Sequence, residues 1–301
     1  MGAPEEAQTA NMAGAGWARP HPGPFSWNNI EPSKGTYVFE ETDDWVKKVQ
    51  ENNIALLATI WPYADWDQAV CREKTCEVSK LDQFYPQEMF GKEFGIPKSR
   101  CAPCSMEDYS KFLGRLVERY DGDGIDDMPG LEIPVLYWEI LNEPEMNSLD
   151  LTFYKGSQEE YVEILKNSYQ AIKKSCPNCQ IIQGGAAGSS DTDTYWERIL
   201  ELGGGQHFDI ANIHFISHGD QNTLNVKGFK DLLIKNGVDK PIWVTEAEMS
   251  SEDLVESSFE GALNAGASKV FFTRFEFGIK GPPRVGQYSK VYEKIPGKCP
   301  N

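Results

Sequence analysis

The chain has 301 residues, 40% hydrophobic and 25% charged, a composition that suits a globular fold and excludes the disordered and fibrous classes. Its 29 Lys and Arg stand against 46 Asp and Glu, a formal net charge of −17, which repels phosphate backbones and anionic lipid and argues against nucleic-acid and membrane partners. No apolar run approaches the roughly 20 residues of a membrane helix, and Met1-Gly2-Ala3-Pro4-Glu5-Glu6 has neither the basic nor the apolar region of a signal peptide.

Pro4 followed by two acids opens a predicted helix over 4–13. Short β-rich runs then alternate with helical patterns along the chain. The predicted strands are 16–20, 54–61, 135–141, 180–184, 210–215, 241–246 and 269–275. The predicted helices that follow the first are 41–52, 106–120, 158–174, 192–202, 224–236, 251–265 and 288–295. Leu254, Val255, Phe259 and Leu263 give the helix over 251–265 an apolar stripe. Gly203-Gly204-Gly205 and Asn236-Gly237 read as helix stops.

Strands alternating with helices predict a parallel α/β sheet. The strand ends near Arg19, Trp61, Glu143, Gly184, His214, Glu246 and Glu276 recur every 30 to 42 residues, apart from one interval of 82. That rhythm suits a (β/α)8 TIM-type barrel better than a doubly wound sheet, and no Gly-x-Gly-x-x-Gly or Walker-type loop follows a strand. Without internal repeats or low-complexity linkers, residues 1–301 read as one barrel domain with a Cys-containing insertion at about 62–105. Seven strands are counted where a closed barrel has eight, so the barrel is expected to lack its first strand, whose place is before residue 1.

Two strand ends carry chemistry. Tyr137-Trp138-Glu139-Ile140-Leu141 runs straight into Asn142-Glu143-Pro144, and Pro144 is expected to end the strand and hold Glu143 extended on the C-terminal rim. Pro241-Ile242-Trp243-Val244-Thr245 likewise ends in Glu246. A lone acid at a strand end is ordinary and is satisfied by pairing with Lys or Arg. Two of them at one rim fit glycosidic bond cleavage, where one carboxyl donates a proton to the leaving oxygen and the other attacks or activates water.

With these residues the chain resembles glycoside hydrolase clan A, the retaining (β/α)8 glycosidases, and most resembles families 39 and 5. The clan's acid/base motif is matched by Asn142-Glu143-Pro144, and its nucleophile, a Glu ending the seventh barrel strand, by Glu246. The stretch from Trp27 to Tyr37, with Ile30-Glu31-Pro32 and then Gly35-Thr36-Tyr37, is similar to the family segment after the second barrel strand, Arg19 matches the Arg that braces the nucleophile, and His214 matches the sixth-strand His. The resemblance covers about residues 5 to 277. It implies double displacement, with Glu246 as nucleophile, Glu143 as acid/base, Arg19 holding Glu246 ionised, and that neighbouring negative charge raising the pKa of Glu143. Asn142 is placed to donate to a sugar 2-hydroxyl, and His214 reads as a hydrogen-bond donor rather than a metal ligand. Trp61, Tyr63 and Trp66 are expected either to stack on sugar faces or to pack the loop.

The chain departs from the clan's pattern at two places. Ile216 stands where the clan often has Tyr, and Phe271-Phe272-Thr273-Arg274-Phe275-Glu276-Phe277 has no Trp at the end of the last strand but adds Glu276 near the site. Two functions follow. The first is a retaining glycosidase acting on a β-linked glycan or glycoside. The second is a catalytically impaired barrel that binds carbohydrate without cleaving it. Neither requires a cofactor, and the oligomeric state is not legible.

Seven cysteines are present, and four, Cys71, Cys76, Cys101 and Cys104, fall in the insertion. Cys176-Pro177-Asn178-Cys179 precedes the strand at 180–184, and Cys299 is expected to be free. Disulfides are the favoured reading, with a structural zinc site and reduced thiols as the alternatives, and they imply an extracellular or periplasmic setting. Asp121, Asp123 and Asp127 alternate with Gly in a turn that either wraps calcium with carboxylate oxygens or is a solvated acidic turn.

Overall fold

The computed structural model of the chain describes residues 7–12, 14–70, 76–78, 96–146, 152–189, 191–216, 218–249 and 252–273. The predicted helix 288–295, Cys71, Cys299 and Glu276 lie outside the described residues. Helices form where the apolar spacing and the capping residues agree. Helix α1 is Ala7–Met12, α2 Trp27–Ile30, α3 Glu40–Gln50, α4 Asp65–Gln68, α5 Met106–Glu118, α6 Gln158–Ser175, α7 Thr192–Glu201, α8 Val226–Lys235 and α9 Val255–Ala265. Ser157 Oγ accepts the Glu160 amide while the Glu160 carboxylate accepts the Ser157 amide, a reciprocal cap that starts α6. Gly266, at φ 115°, stops α9 in a left-handed turn that a side chain would disfavour.

The strands are β1 (Trp17–Ala18), β2 (Ala55–Ile60), β3 (Tyr137–Ile140), β4 (Gln180–Gln183), β5 (Ala211–Ile216), β6 (Ile242–Glu248) and β7 (Ala267–Thr273). All pairings are parallel, in sequential order β1-β2-β3-β4 and β5-β6-β7. Single parallel bridges, Ile182 to Ile210 and Ala186 to Ile213, join β4 to β5. Between them the Gln183 side chain takes over the ladder, donating to Asn212 O at 2.7 Å and accepting from Asn212 N at 2.9 Å. Helices cover the outer face. On α5, Tyr109, Phe112, Leu113, Leu116 and Val117 are all buried, each worth roughly 1.5–3 kcal/mol for a fully buried side chain. Tyr109 also bonds Ser168 of α6 at 3.0 Å.

The inner face shows how the sheet curves. Trp17, Leu57, Tyr137, Ile182, Ile210, Trp243 and Phe271 form one apolar cluster. They come from β1, β2, β3, β4, the residue before β5, β6 and β7, so six strands and the residue leading into the seventh share one interior layer, as in a barrel. No eighth strand is found among the described residues. At that gap Trp17 reaches the far end of the sheet: its ring meets Trp243 at 5.6 Å and Phe271 at 6.4 Å, with the Lys269 ammonium 3.3 Å above it. Side-chain packing and a cation–π contact therefore connect β1 to β7, where the described residues show no ladder between them.

Candidate active site

Above the aromatic layer the interior turns polar. Arg19, immediately after β1, is buried and donates to Glu139 of β3 through Nε (2.7 Å) and Nη2 (3.1 Å). Glu139 is fully buried and also accepts from Thr59 of β2 at 2.5 Å and from Asn212 of β5 at 2.7 Å. Thr245 of β6 completes the layer, 2.9 Å from Asn212 Oδ1. Burial works against the charge on Arg19, but the carboxylates of Glu139, Glu246 and Glu143 outweigh it and hold its pKa above the ordinary arginine value.

The two acids singled out from the sequence stand on this layer. Arg19 Nη1 donates to Glu246 Oε2 at 3.2 Å, and Arg19 Nη2 to Asn142 Oδ1 at 2.5 Å. His214 bridges the pair, with Nδ1 2.7 Å from Glu143 Oε1 and 3.8 Å from Glu246 Oε2. One carboxylate oxygen of Glu143, one of Glu246 and a His214 ring nitrogen all lie within 4.8 Å of one another. The Glu143 side chain is only 4% exposed, whereas that of Glu246 is 19% exposed and is the more open of the two.

Backbone irregularity aims these groups. On β6 the register with β5 slips: Ile213 pairs with Val244, but His214 pairs with Glu246. Thr245 is the extra residue, so adjacent side chains that alternation would send to opposite faces, Thr245 and Glu246, both reach the interior. After β3, Leu141 and Glu143 have φ of 71° and 39°, left-handed values costly for residues other than glycine. This corrects the extended backbone expected for Glu143 before Pro144. Bonds from Leu141 N to Ile60 O (3.0 Å) and from Glu143 N to Gly185 O (3.1 Å) hold the kink in place.

Burial pushes the Glu143 carboxyl up to about 7; Arg19 opposes this and Glu139 adds to it. The acid that raises it is Glu139 rather than the expected Glu246, and burial is the larger cause. Burial and Arg19 push His214 down to about 4, against Glu246 and Glu139. Asn142 Nδ2 is buried and faces Glu143 without a well-formed bond to it or to any other described residue.

The aromatic candidates separate. Trp61 is fully buried with Nε1 bonded to Pro22 O at 2.7 Å, and Tyr63 is fully buried with its hydroxyl on Phe153 O at 2.7 Å. Neither has a face to offer a sugar, which overturns the stacking expectation for both: their apolar rings are worth more in the core. Trp66 is half-buried, packed edge-on against Trp27 at 5.2 Å and bonded to Glu31 O at 2.8 Å. Glu31 is itself structural, bracing its turn through Trp27 Nε1 and Gly35 N, both at 2.7 Å.

Asp121, Asp123 and Asp127 do approach one another to within 4.8 Å. Their carboxylates accept the amides of Asp123, Ile125, Gly122 and Gly124 within their own turn, and burial with the adjacent acids pushes Asp121 up to about 6. In the insertion Cys76 is bonded to Cys101, and Cys104 is also in a disulfide; Cys176 is bonded to Cys179. Oxidised sulfurs offer zinc no thiolate, so the zinc and free-thiol readings fall for these cysteines.

Sequence reasoning missed Glu139, Asn212, Thr245 and Glu145. A charge inside the apolar run Tyr137–Leu141 was a usable signal for Glu139, and Asn212 lies two residues from His214 on the same strand face. Thr245 had no signal, because the bulge overrides alternation. Glu145 is partly buried; its Oε1 accepts Ala187 N (2.7 Å), Thr192 Oγ1 (3.2 Å) and Trp196 Nε1 (3.0 Å), and its Oε2 is shielded from solvent with no hydrogen-bond partner among the described residues. It ties the Glu143 loop to α7, and burial pushes it up to about 7.

Solved structures share this architecture. A glucosidase from Croceicoccus marinus superposes with a TM-score of 0.67 at 14% identity, over 96% of this chain and 63% of that one. The chain has the (β/α)-barrel fold of glycosidases. A family 39 glycoside hydrolase from Bacteroides cellulosilyticus WH2 gives a TM-score of 0.58 at 18% identity, over 93% of this chain and 55% of that one. The endo-1,4-β-mannanase of Rhizomucor miehei gives 0.60 at 14% identity, over 98% and 90%. The chain therefore spans less than two thirds of the first two. No sequence-family model and no curated protein matches it, and no helix among the described residues is long and apolar enough to cross a membrane.

Proposed function

We propose that this barrel is a retaining glycoside hydrolase acting on a β-linked glycan or glycoside. The observation that carries the reading is the approach of Glu143 and Glu246 within 4.8 Å at one mouth. That spacing suits a direct nucleophile and leaves no room for the water an inverting site needs between its carboxylates. Glu246, more open and braced by Arg19, attacks the anomeric carbon. The glycosidic C–O bond breaks, and the leaving oxygen takes the Glu143 proton. Glu143 then removes a proton from water, whose oxygen displaces Glu246 from the anomeric carbon. A carboxyl raised to about 7 suits both duties near neutral pH. The buried, unsatisfied Asn142 Nδ2 is the donor for the sugar 2-hydroxyl, and half-buried Trp66 is the remaining candidate for a stacking platform. The solved glycosidases of the same fold support a carbohydrate substrate.

The test is covalent trapping. A panel of glucosyl, mannosyl, xylosyl and galactosyl 2-fluoro glycosyl fluorides is incubated with the protein, and the labelled peptide is mapped by mass spectrometry. Label on Glu246 is the expected result. With Glu143→Ala, azide should restore turnover of activated substrates as a β-glycosyl azide. No label from any reagent would leave the alternative, a barrel that binds carbohydrate without cleaving it.

A further inference from the structure

The polar layer beneath the two acids determines where protons sit as well as where side chains sit. Asn212 has one possible amide orientation. Its Nδ2 lies 2.7 Å from Glu139 Oε1 and 3.5 Å from Gln183 O, both acceptors, so the NH2 end faces them. The amide oxygen then faces Thr245 Oγ1 at 2.9 Å, and that hydroxyl is the donor. The other acceptor within reach of the hydroxyl is Glu139 Oε1 at 3.4 Å, which draws the hydrogen the same way, away from His214.

Thr245 Oγ1 is also 2.9 Å from His214 Nε2. With its one hydrogen committed, the oxygen can only accept, so Nε2 carries a proton. Burial keeps the ring neutral at pH 7, and a neutral imidazole protonated on Nε2 has a bare lone pair on Nδ1. That lone pair is 2.7 Å from Glu143 Oε1. Two acceptors at this distance need a hydrogen between them, and Glu143 supplies it. The opposite tautomer would turn the Thr245 hydrogen towards His214 and leave the buried Asn212 oxygen without a donor among the described residues.

We propose that Asn212 and Thr245 are positioning residues that set the Nε2–H tautomer of His214, so that His214 Nδ1 holds the Glu143 proton in the resting site. The proposal rests on the reading of Glu143 as acid/base. The charged and titratable groups facing Glu143 are Arg19 beyond β1, Glu139 of β3, His214 of β5, Glu246 of β6 and Glu145 in its own loop. In the first half-reaction the Glu143 proton gives up its hydrogen bond to Nδ1 and passes to the departing sugar oxygen. The Glu143 carboxylate then faces a bare nitrogen lone pair, which raises its affinity for the proton delivered by water in the second half.

The test begins with spectroscopy, independent of turnover. Long-range proton–nitrogen spectra of protein labelled with 15N-histidine report each tautomer at pH 7. The His214 signals are assigned by their loss in His214→Gln, or by elimination with His21→Gln, His207→Gln and His218→Gln if that variant fails to fold. The expected result is a His214 ring with Nε2 protonated and Nδ1 bare; a ring protonated on Nδ1 overturns the proposal whatever the activity. Thr245→Val should mix or invert the tautomer, and Thr245→Ser should restore it. If a substrate is turned over, the basic limb of kcat/KM should move down by about one pH unit in Thr245→Val, a roughly tenfold stronger acid, and return in Thr245→Ser. An unmoved tautomer in Thr245→Val also overturns the proposal. Absence of turnover with the expected tautomer counts against the glycosidase reading and leaves the proton arrangement standing.

Discussion

Replacing Glu145 by Gln should stabilise the protein at alkaline pH and leave it nearly unchanged in acid. Glu145 lies partly buried beside α7, with three donors on one oxygen and, among the described residues, none on the other, which is shielded from solvent. Burial raises its pKa from the ordinary 4.5 to about 7. A folded-state value above the unfolded one means that the folded protein binds the proton more tightly. Stability from this group is therefore fully present below about pH 4.5 and is lost as pH rises to about 7. At about 1.4 kcal/mol per pH unit, ionisation costs the folded state about 3 kcal/mol by pH 8. Gln keeps an oxygen for the three donors, presents a neutral NH2 in place of the second oxygen, and never ionises. Urea unfolding at pH 4.5 and pH 8 measures the difference between variant and wild type. The expected values are within about 1 kcal/mol at pH 4.5 and a gain of about 3 kcal/mol for Glu145→Gln at pH 8. A difference that stays constant between the two pH values, or a variant that weakens as pH rises, would refute the claim that burial keeps this carboxyl protonated.

Three further outcomes are expected. Arg19→Met leaves Glu139 buried among neutral donors without its cation and should cost about 3–5 kcal/mol in urea unfolding at pH 7; a loss below about 1 kcal/mol would show that the neutral donors suffice. Trp17→Ala removes the ring that meets Tyr137, Trp243 and Phe271, and since Trp17 is half-buried the cost should fall near the low end of the usual range, about 3 kcal/mol. Near-neutral unfolding data for that variant would mean the sheet ends are held by something other than this contact. The Cys76–Cys101 bond closes a sequence separation of 25 residues; the double variant Cys76→Ser, Cys101→Ser should lose roughly 3 kcal/mol, read as a lower thermal midpoint than wild type in the absence of reductant. An unchanged midpoint would place the loop's order in its other contacts.

Much of the architecture was legible because helix and strand periods are local properties. The helical pattern over 158–174 and the β-rich run over 180–184 settled α6 and β4 to within a residue or two. Asn142-Glu143-Pro144 and the strand ending at Glu246 marked the two acids for the same reason: a charge closing an apolar run is visible along the chain. Short elements such as α2 and α4 escaped, since four residues are too few to show a helical period.

The tertiary structure alone decided what surrounds those acids. Whether Trp61 offers its ring to a ligand or to the core depends on Pro22 and Phe153, 39 residues before it and 92 after it. The bulge that brings Thr245 beside Glu246 breaks the two-residue alternation on which a reading of the strand relies. The proton affinities of Glu143 and Glu145 follow from burial, which is created only when the strands curve together. Position along the chain determined which residues end the strands; convergence of seven strands determined which of them meet and in what protonation state, because desolvation and hydrogen bonding act through space.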